Sequence, residues 1–154
     1  MADAIEEMYK MSLTGLILLA AIGGVAVTIQ GQFMGLLDKN MGTLESVFIT
    51  YSSGGLLAAV AMIVYRGGNL KAVQTVPWYS LSAGLVGLVI VGTISYTVPR
   101  LGLSKAFTII VAAQFIVASL LDHYGLLGAA VRPMDLSRLA GMALLVTGVW
   151  LIVK

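Results

Sequence analysis

Ser104–Tyr124, SKAFTIIVAAQFIVASLLDHY, decides how the rest of the sequence is read. Lys105 stands at one edge of this apolar run, and Asp122 with His123 at the other. At about 1.5 Å of rise per residue, a helix of this length crosses a hydrocarbon core of about 30 Å. Gln114 lies alone near its middle, where a bilayer midplane would fall. A primary amide carries two donors and an acceptor that lipid cannot satisfy, so it must face protein or water. Two readings are open. The amide is interhelical glue, worth about 0.6 kcal/mol on average and up to ~2, or it lines a cavity.

The composition around this run is that of an integral membrane protein. Hydrophobic residues make up 59% of the chain and charged residues 10%, with a mean hydropathy of +1.00. A soluble domain carries about 25% charge. The nine basic residues are scattered at the ends of apolar runs, so the net charge of +2 calls for no nucleic-acid partner. The absence of cysteine excludes disulfides, thiolate catalysis and cysteine metal sites, and a single histidine leaves little for any metal. No cofactor is expected. The acidic start MADAIEEMYK lacks the basic segment of a signal peptide, so no cleaved leader is expected either.

Four more apolar runs give an all-α, single-domain chain over 1–154 with spans at about 11–37, 43–65, 77–98, 104–122 and 136–153. In the first, Ala20, Gly24 and Thr28 form a small-residue stripe, and Asp38–Gly42 (DKNMG) reads as a stop and turn. Thr43 is the expected N-cap of the second span. Glu45 then falls in its first turn, where the helix dipole favours a carboxylate, although a cavity mouth would suit it too. The segment Thr50–Gly55 (TYSSGG) puts hydroxyls and two glycines at mid-membrane depth, which fits close packing or a cavity wall. Thr75 and Pro77 open the third span, with Trp78 and Tyr79 as an interfacial anchor, and Pro99-Arg100 ends it. Asp135 is the expected N-cap of the last. There Gly141 and Gly148, seven apart, fall on one stripe suited to a helix–helix dimer contact.

An odd number of spans places the two chain ends on opposite sides. Lys10, Arg66, Lys71, Arg132 and Arg138 then fall on one side, and Lys39, Arg100, Lys105 and Lys154 on the other. Such a small bias sets no orientation by the positive-inside rule, so insertion both ways is expected. Two oppositely inserted copies make ten helices with an in-plane pseudo-two-fold axis, the inverted-repeat plan of secondary transporters. The alternative is a weakly oriented monomer or parallel oligomer.

Val98–Gly102 (VPRLG), Gln114 preceded by small residues, Asp122–Gly128 (DHYGLLG), Arg132-Pro133 and Arg138–Gly141 (RLAG) together resemble the motifs of the YdcZ-like family of small inner-membrane exporters in the drug/metabolite transporter superfamily. The resemblance spans Pro77–Lys154 and is looser before it. Gln30 matches a glutamine of the family, while Met34 stands where the family has asparagine. The resemblance implies a five-helix half of a ten-helix carrier in the bacterial inner membrane. The Gly141–Gly148 spacing also resembles the dimerisation helix of the small multidrug resistance proteins. Their helix-1 glutamate, however, has no counterpart in Ser12–Gly31, which holds no acidic residue.

The leading expectation is a secondary transporter exporting a small organic solute as a dual-topology homodimer. Gln114, Tyr51, Ser52, Ser53 and Gln30 would offer hydrogen bonds near the midplane, with Tyr96, Thr93 and Trp78 lining the approach. Glu45 and Asp122 are the candidates for coupling to an ion. The expected partners are the bilayer, a second antiparallel copy or a homologous chain, and the solute. A small ion channel and a non-transporting membrane subunit are the alternatives. An enzyme is not expected, because His123 has no nucleophile partner at a recognised spacing; it reads as an interfacial residue or a helix-end partner of Asp122.

Overall fold

The computed structural model describes residues 12–65 and 68–154. Five helices dominate them: α1 (Leu13–Met41), α2 (Thr43–Val64), α3 (Ala83–Leu101), α4 (Leu103–Tyr124) and α5 (Leu136–Val153). Two 3₁₀ turns, Leu70–Thr75 and Trp78–Ser82, lead into α3, and a third, Leu126–Gly128, follows α4. All five helices, with the Trp78–Ser82 turn joined to α3, are long and apolar enough to cross a bilayer.

Two helical hairpins form the body. Only Gly42 separates α1 from α2, and only Gly102 separates α3 from α4. Their φ angles of 109° and 85° lie where a side chain is strained, so each one-residue joint requires glycine. The first joint corrects the expected boundary. Asp38 to Met41 is the last turn of α1, with the Asn40 amide donating to the Leu36 carbonyl at 2.7 Å, and the turn itself is Gly42 alone. Thr43 is not the cap either. Gly42 holds that position without a side-chain bond, and the Thr43 hydroxyl donates to the Asp38 carboxylate.

Boundaries at the third span shift for similar local reasons. The Thr75 hydroxyl turns back to the Ala72 carbonyl at 2.8 Å and closes a 3₁₀ turn instead of capping α3. Pro99 sits inside the last turn of α3, which continues to Leu101. A proline there costs only the bond to the carbonyl one turn back, and the helix stops two residues later. Asp135 caps α5 as expected. It accepts from the Arg138 backbone N–H at 2.8 Å and the Ser137 hydroxyl at 2.9 Å, and these bonds hold its carboxyl below the usual range. The loop before α5 folds back on α4: Arg132 N–H donates to the Asp122 carbonyl at 2.8 Å and Met134 N–H to His123 Nδ1 at 2.9 Å. His123 is therefore a loop anchor, not a partner of Asp122.

The hairpins meet near their glycine joints. Met34 of α1, Ile94 and Val98 of α3 and Ala106 of α4 form the buried core, with Phe107 packed against it. Close approach is set by Gly31 and Gly35. A β-carbon at Gly31 would lie 2.5 Å from the Phe107 ring, and one at Gly35 2.9 Å from Val98 Cγ1. The expected stripe of Ala20, Gly24 and Thr28 makes no such contact and remains exposed. Within the described residues α5 packs against α4 only, and its Lys154 end is tied by Lys105 Nζ donating to the Val153 carbonyl at 2.9 Å.

Gly31→Leu should therefore force Phe107 out of the core and lower stability by roughly 1–3 kcal/mol. Gly24→Leu, with open space around it, should leave unfolding in mild detergent unchanged. Equal thermal stability of the two variants would remove Gly31 as the close-packing point.

Candidate solute-binding cleft

Above that core, α1, α3 and α4 part to leave a cleft of about 910 Å³. Its walls are Ala21, Gly24, Val25 and Thr28 of α1, Ile90 and Ile94 of α3, and Phe107, Thr108, Val111 and Gln114 of α4, with Leu145 of α5 at the edge. Gln114 follows Gly102 by twelve residues, which is ~18 Å along a helix, and so lies near mid-bilayer depth. The Thr28 hydroxyl donates to the Gly24 carbonyl at 2.9 Å and the Thr108 hydroxyl to the Ser104 carbonyl at 2.8 Å. Both spend their proton inside their own helix and present acceptor lone pairs outward. The Gln114 side chain is exposed and supplies the cleft with donors as well. Among the described residues, no ionisable one lines the space.

Of the other residues expected to bind solute, none lines this cleft. Gln30 is exposed on a different face of α1 from Thr28. The Tyr51 hydroxyl donates to the Gly84 carbonyl at 3.3 Å and lies directly over Gly87, so it joins α2 to α3. Ser52 is exposed on α2, and the Ser53 hydroxyl bonds the Thr50 carbonyl of its own helix. Thr93 is exposed, its carbonyl accepting from Thr97. Trp78 is 83% exposed, edge-on to Tyr79, as an interfacial anchor would be. Glu45 is exposed in the first turn of α2, where the dipole favours it. Asp122 is half-buried at the far end of α4. Gly141 and Gly148 look out from α5 with no neighbour within 4 Å of a β-carbon built there.

A polar latch joins the two hairpins beside the core. Asp38, its side chain 4% exposed, accepts from Arg100 Nη1 at 2.9 Å and from Thr43. The Arg100 guanidinium lies 3.6 Å over the Tyr96 ring and also bonds the Tyr96 carbonyl at 2.6 Å, which is Tyr96's role here. One turn deeper, the Ser46 and Ser95 hydroxyls meet at 2.8 Å with no exposure, and Ser46 also donates to the Met34 carbonyl at 3.0 Å. The sequence offered one clue to this latch. Asp38 and Arg100 are opposite charges at span ends on the same side.

A five-helix membrane chain with an uncharged mid-depth cleft can now be compared with known proteins. The family described as "Putative inner membrane exporter, YdcZ" matches residues 15–151. The chain belongs to this family. It is also 26% identical over 148 residues to the inner membrane protein YdcZ of Escherichia coli (strain K12), covering 94% of this chain and 97% of that protein. No solved structure matches it. The match reaches through α1 and α2, where the resemblance read from the sequence was loose. This YdcZ-family chain is a multi-pass inner-membrane protein of the exporter type. Met34, where the family resemblance leads one to expect asparagine, is instead a buried centre of its core.

Arg100→Ala leaves the Asp38 carboxylate buried without its cation and should destabilise the chain by roughly 1–3 kcal/mol. Asp38→Asn combined with Arg100→Gln should recover part of that loss. A double-mutant cycle on thermal unfolding in detergent checks it, and an interaction energy near zero would make the pair incidental.

Proposed function

We propose that this chain exports a small organic solute by alternating access as an antiparallel, dual-topology homodimer, and that it is a carrier, not an enzyme. The observation that carries this reading is the Gln114 amide, which lines a cleft between two latched hairpins at mid-bilayer depth and bonds no partner among the described residues. An amide that merely glued helices would be consumed by a neighbouring helix. One whose bonds are left for a solute or its waters belongs in a transport site.

The second copy is supported by what one chain leaves uncovered. Among the described residues five hydrophobic side chains are buried, and β-carbons built at Gly24, Gly141 and Gly148 would meet nothing within 4 Å. The near-even split of Lys and Arg permits either orientation. Two inverted copies set their Gln114 side chains at similar depth, so both can reach one solute.

Gln114→Leu should abolish or reduce flux while keeping the dimer fraction in liposomes, whereas wild-type flux in this variant would sink the transport role of the cleft. Single cysteines at Ala2 and after Lys154, in a chain that has none, should each label from both sides of the membrane. Labelling of each end from one side only would rule out dual insertion.

A further inference from the structure

We infer that the solute carried in this cleft is uncharged: an apolar or aromatic body bearing one alcohol or amide-like group. This deepens, and rests on, the reading of the cleft as the transport site. The starting point is the chemistry of the walls. Among the described residues, three side chains in the lining are polar, Thr28, Thr108 and Gln114, and none can carry charge. With the threonine protons already given to Gly24 and Ser104, the walls offer hydroxyl acceptors and one amide that both donates and accepts. A primary amide has two N–H groups for the threonine oxygens and a carbonyl for Gln114, while an alcohol, with one O–H, serves Gln114 and one threonine.

A charged solute finds no counter-charge here. An ion moved out of water costs several kcal/mol after relaxation unless a partner of opposite sign meets it. Asp38 and Arg100 neutralise each other, and Lys105, one turn before Thr108, turns its ammonium to the Val153 carbonyl. Closing the cleft with a second copy does not change this. The stretches 13–37, 46–65, 72–99, 106–121 and 139–153 contain no Asp, Glu, Lys or Arg, so any copy brings equally uncharged spans. Cation–π attraction does not rescue a cation either. Phe107 is the single aromatic ring in the lining, and its edge is packed against Gly31. The size fits as well, since about 910 Å³ lies within the ~300–1,000 Å³ of small-molecule sites. Neither a lipid chain nor an apolar helix face would satisfy Gln114, which is why a polar-headed solute is the occupant argued for.

The test uses three diazirine photoprobes with one phenylpropyl body, ending in a primary alcohol, a trimethylammonium or a carboxylate. Wild-type protein in liposomes is irradiated with each, with and without excess unlabelled compound, and the adducts are mapped by mass spectrometry. The alcohol probe should give competable labelling within Phe107–Gln114, at least about tenfold above either charged probe, given the cost of an unpaired ion. Gln114→Glu, with its dimer fraction checked alongside, should move the preference toward the trimethylammonium probe. Equal or stronger competable labelling of the wild-type cleft by a charged probe would overturn the uncharged class and leave the cleft as the site. Competable labelling by none of them, adducts that only track lipid concentration, or adducts that join the cleft to a second copy's helix, would overturn the transport reading of the cleft and the solute class with it.

Discussion

Two serine hydroxyls that no solvent reaches hold this structure in its shape. Ser46 bonds both Ser95 and the Met34 carbonyl, at the place where the first hairpin meets the second. In a bilayer there is no water to take their bonds if the hairpins part, so each hydroxyl would be left with an unmet demand of about 1–3 kcal/mol. The Asp38–Arg100 pair and the Gly31 and Gly35 contacts gather around that point. Interhelical hydrogen bonds are individually modest in membranes, and it is their clustering with close packing that makes one end of the bundle firm. Elsewhere among the described residues the interhelical bonds stand singly, as from Tyr51 to the Gly84 carbonyl and from Lys105 to the Val153 carbonyl.

Firmness near the glycine joints is what leaves a cleft farther along. Helices joined by single residues at Gly42 and Gly102 cannot separate at those ends, yet their middles are not forced together. Ala21, Gly24 and Thr28 on one wall and Thr108 and Gln114 on the other keep a gap wide enough for a solute. Small side chains in a membrane helix thus play two parts here. At Gly31 they admit a neighbour, and at Gly24 they make room. Spacing alone does not distinguish these parts, because both satisfy the same small-residue pattern.

That ambiguity explains what the sequence did and did not make legible. Number and placement of spans followed from apolar length, and Asp135 and Glu45 fell where capping and dipole arguments put them. Gln114 stood out because an amide in a run such as SKAFTIIVAAQFIVASLLDHY has no cheap explanation, and it does line the cleft. Thr28 stood out only as part of a small-residue stripe and Thr108 not at all, since a hydroxyl in a membrane helix usually bonds its own backbone, as these two also do. Tyr51, Ser52 and Ser53 looked like a polar site by depth but lie on a helix that does not reach the cleft. Ser46 and Ser95 were invisible for the opposite reason. Their importance comes from meeting each other across 49 residues, and only a three-dimensional arrangement creates that.

Five crossings have a consequence for descent and for engineering. A chain with an odd number of spans finishes on the side opposite to where it began. Copying its gene head to tail therefore starts the second copy on the far side, already upside down, with no added helix to turn it around. An even-numbered unit copied in the same way would yield two halves facing alike. In the dual-topology pair proposed above, a tandem fusion after α5 would join the two copies covalently while fixing their opposite orientation.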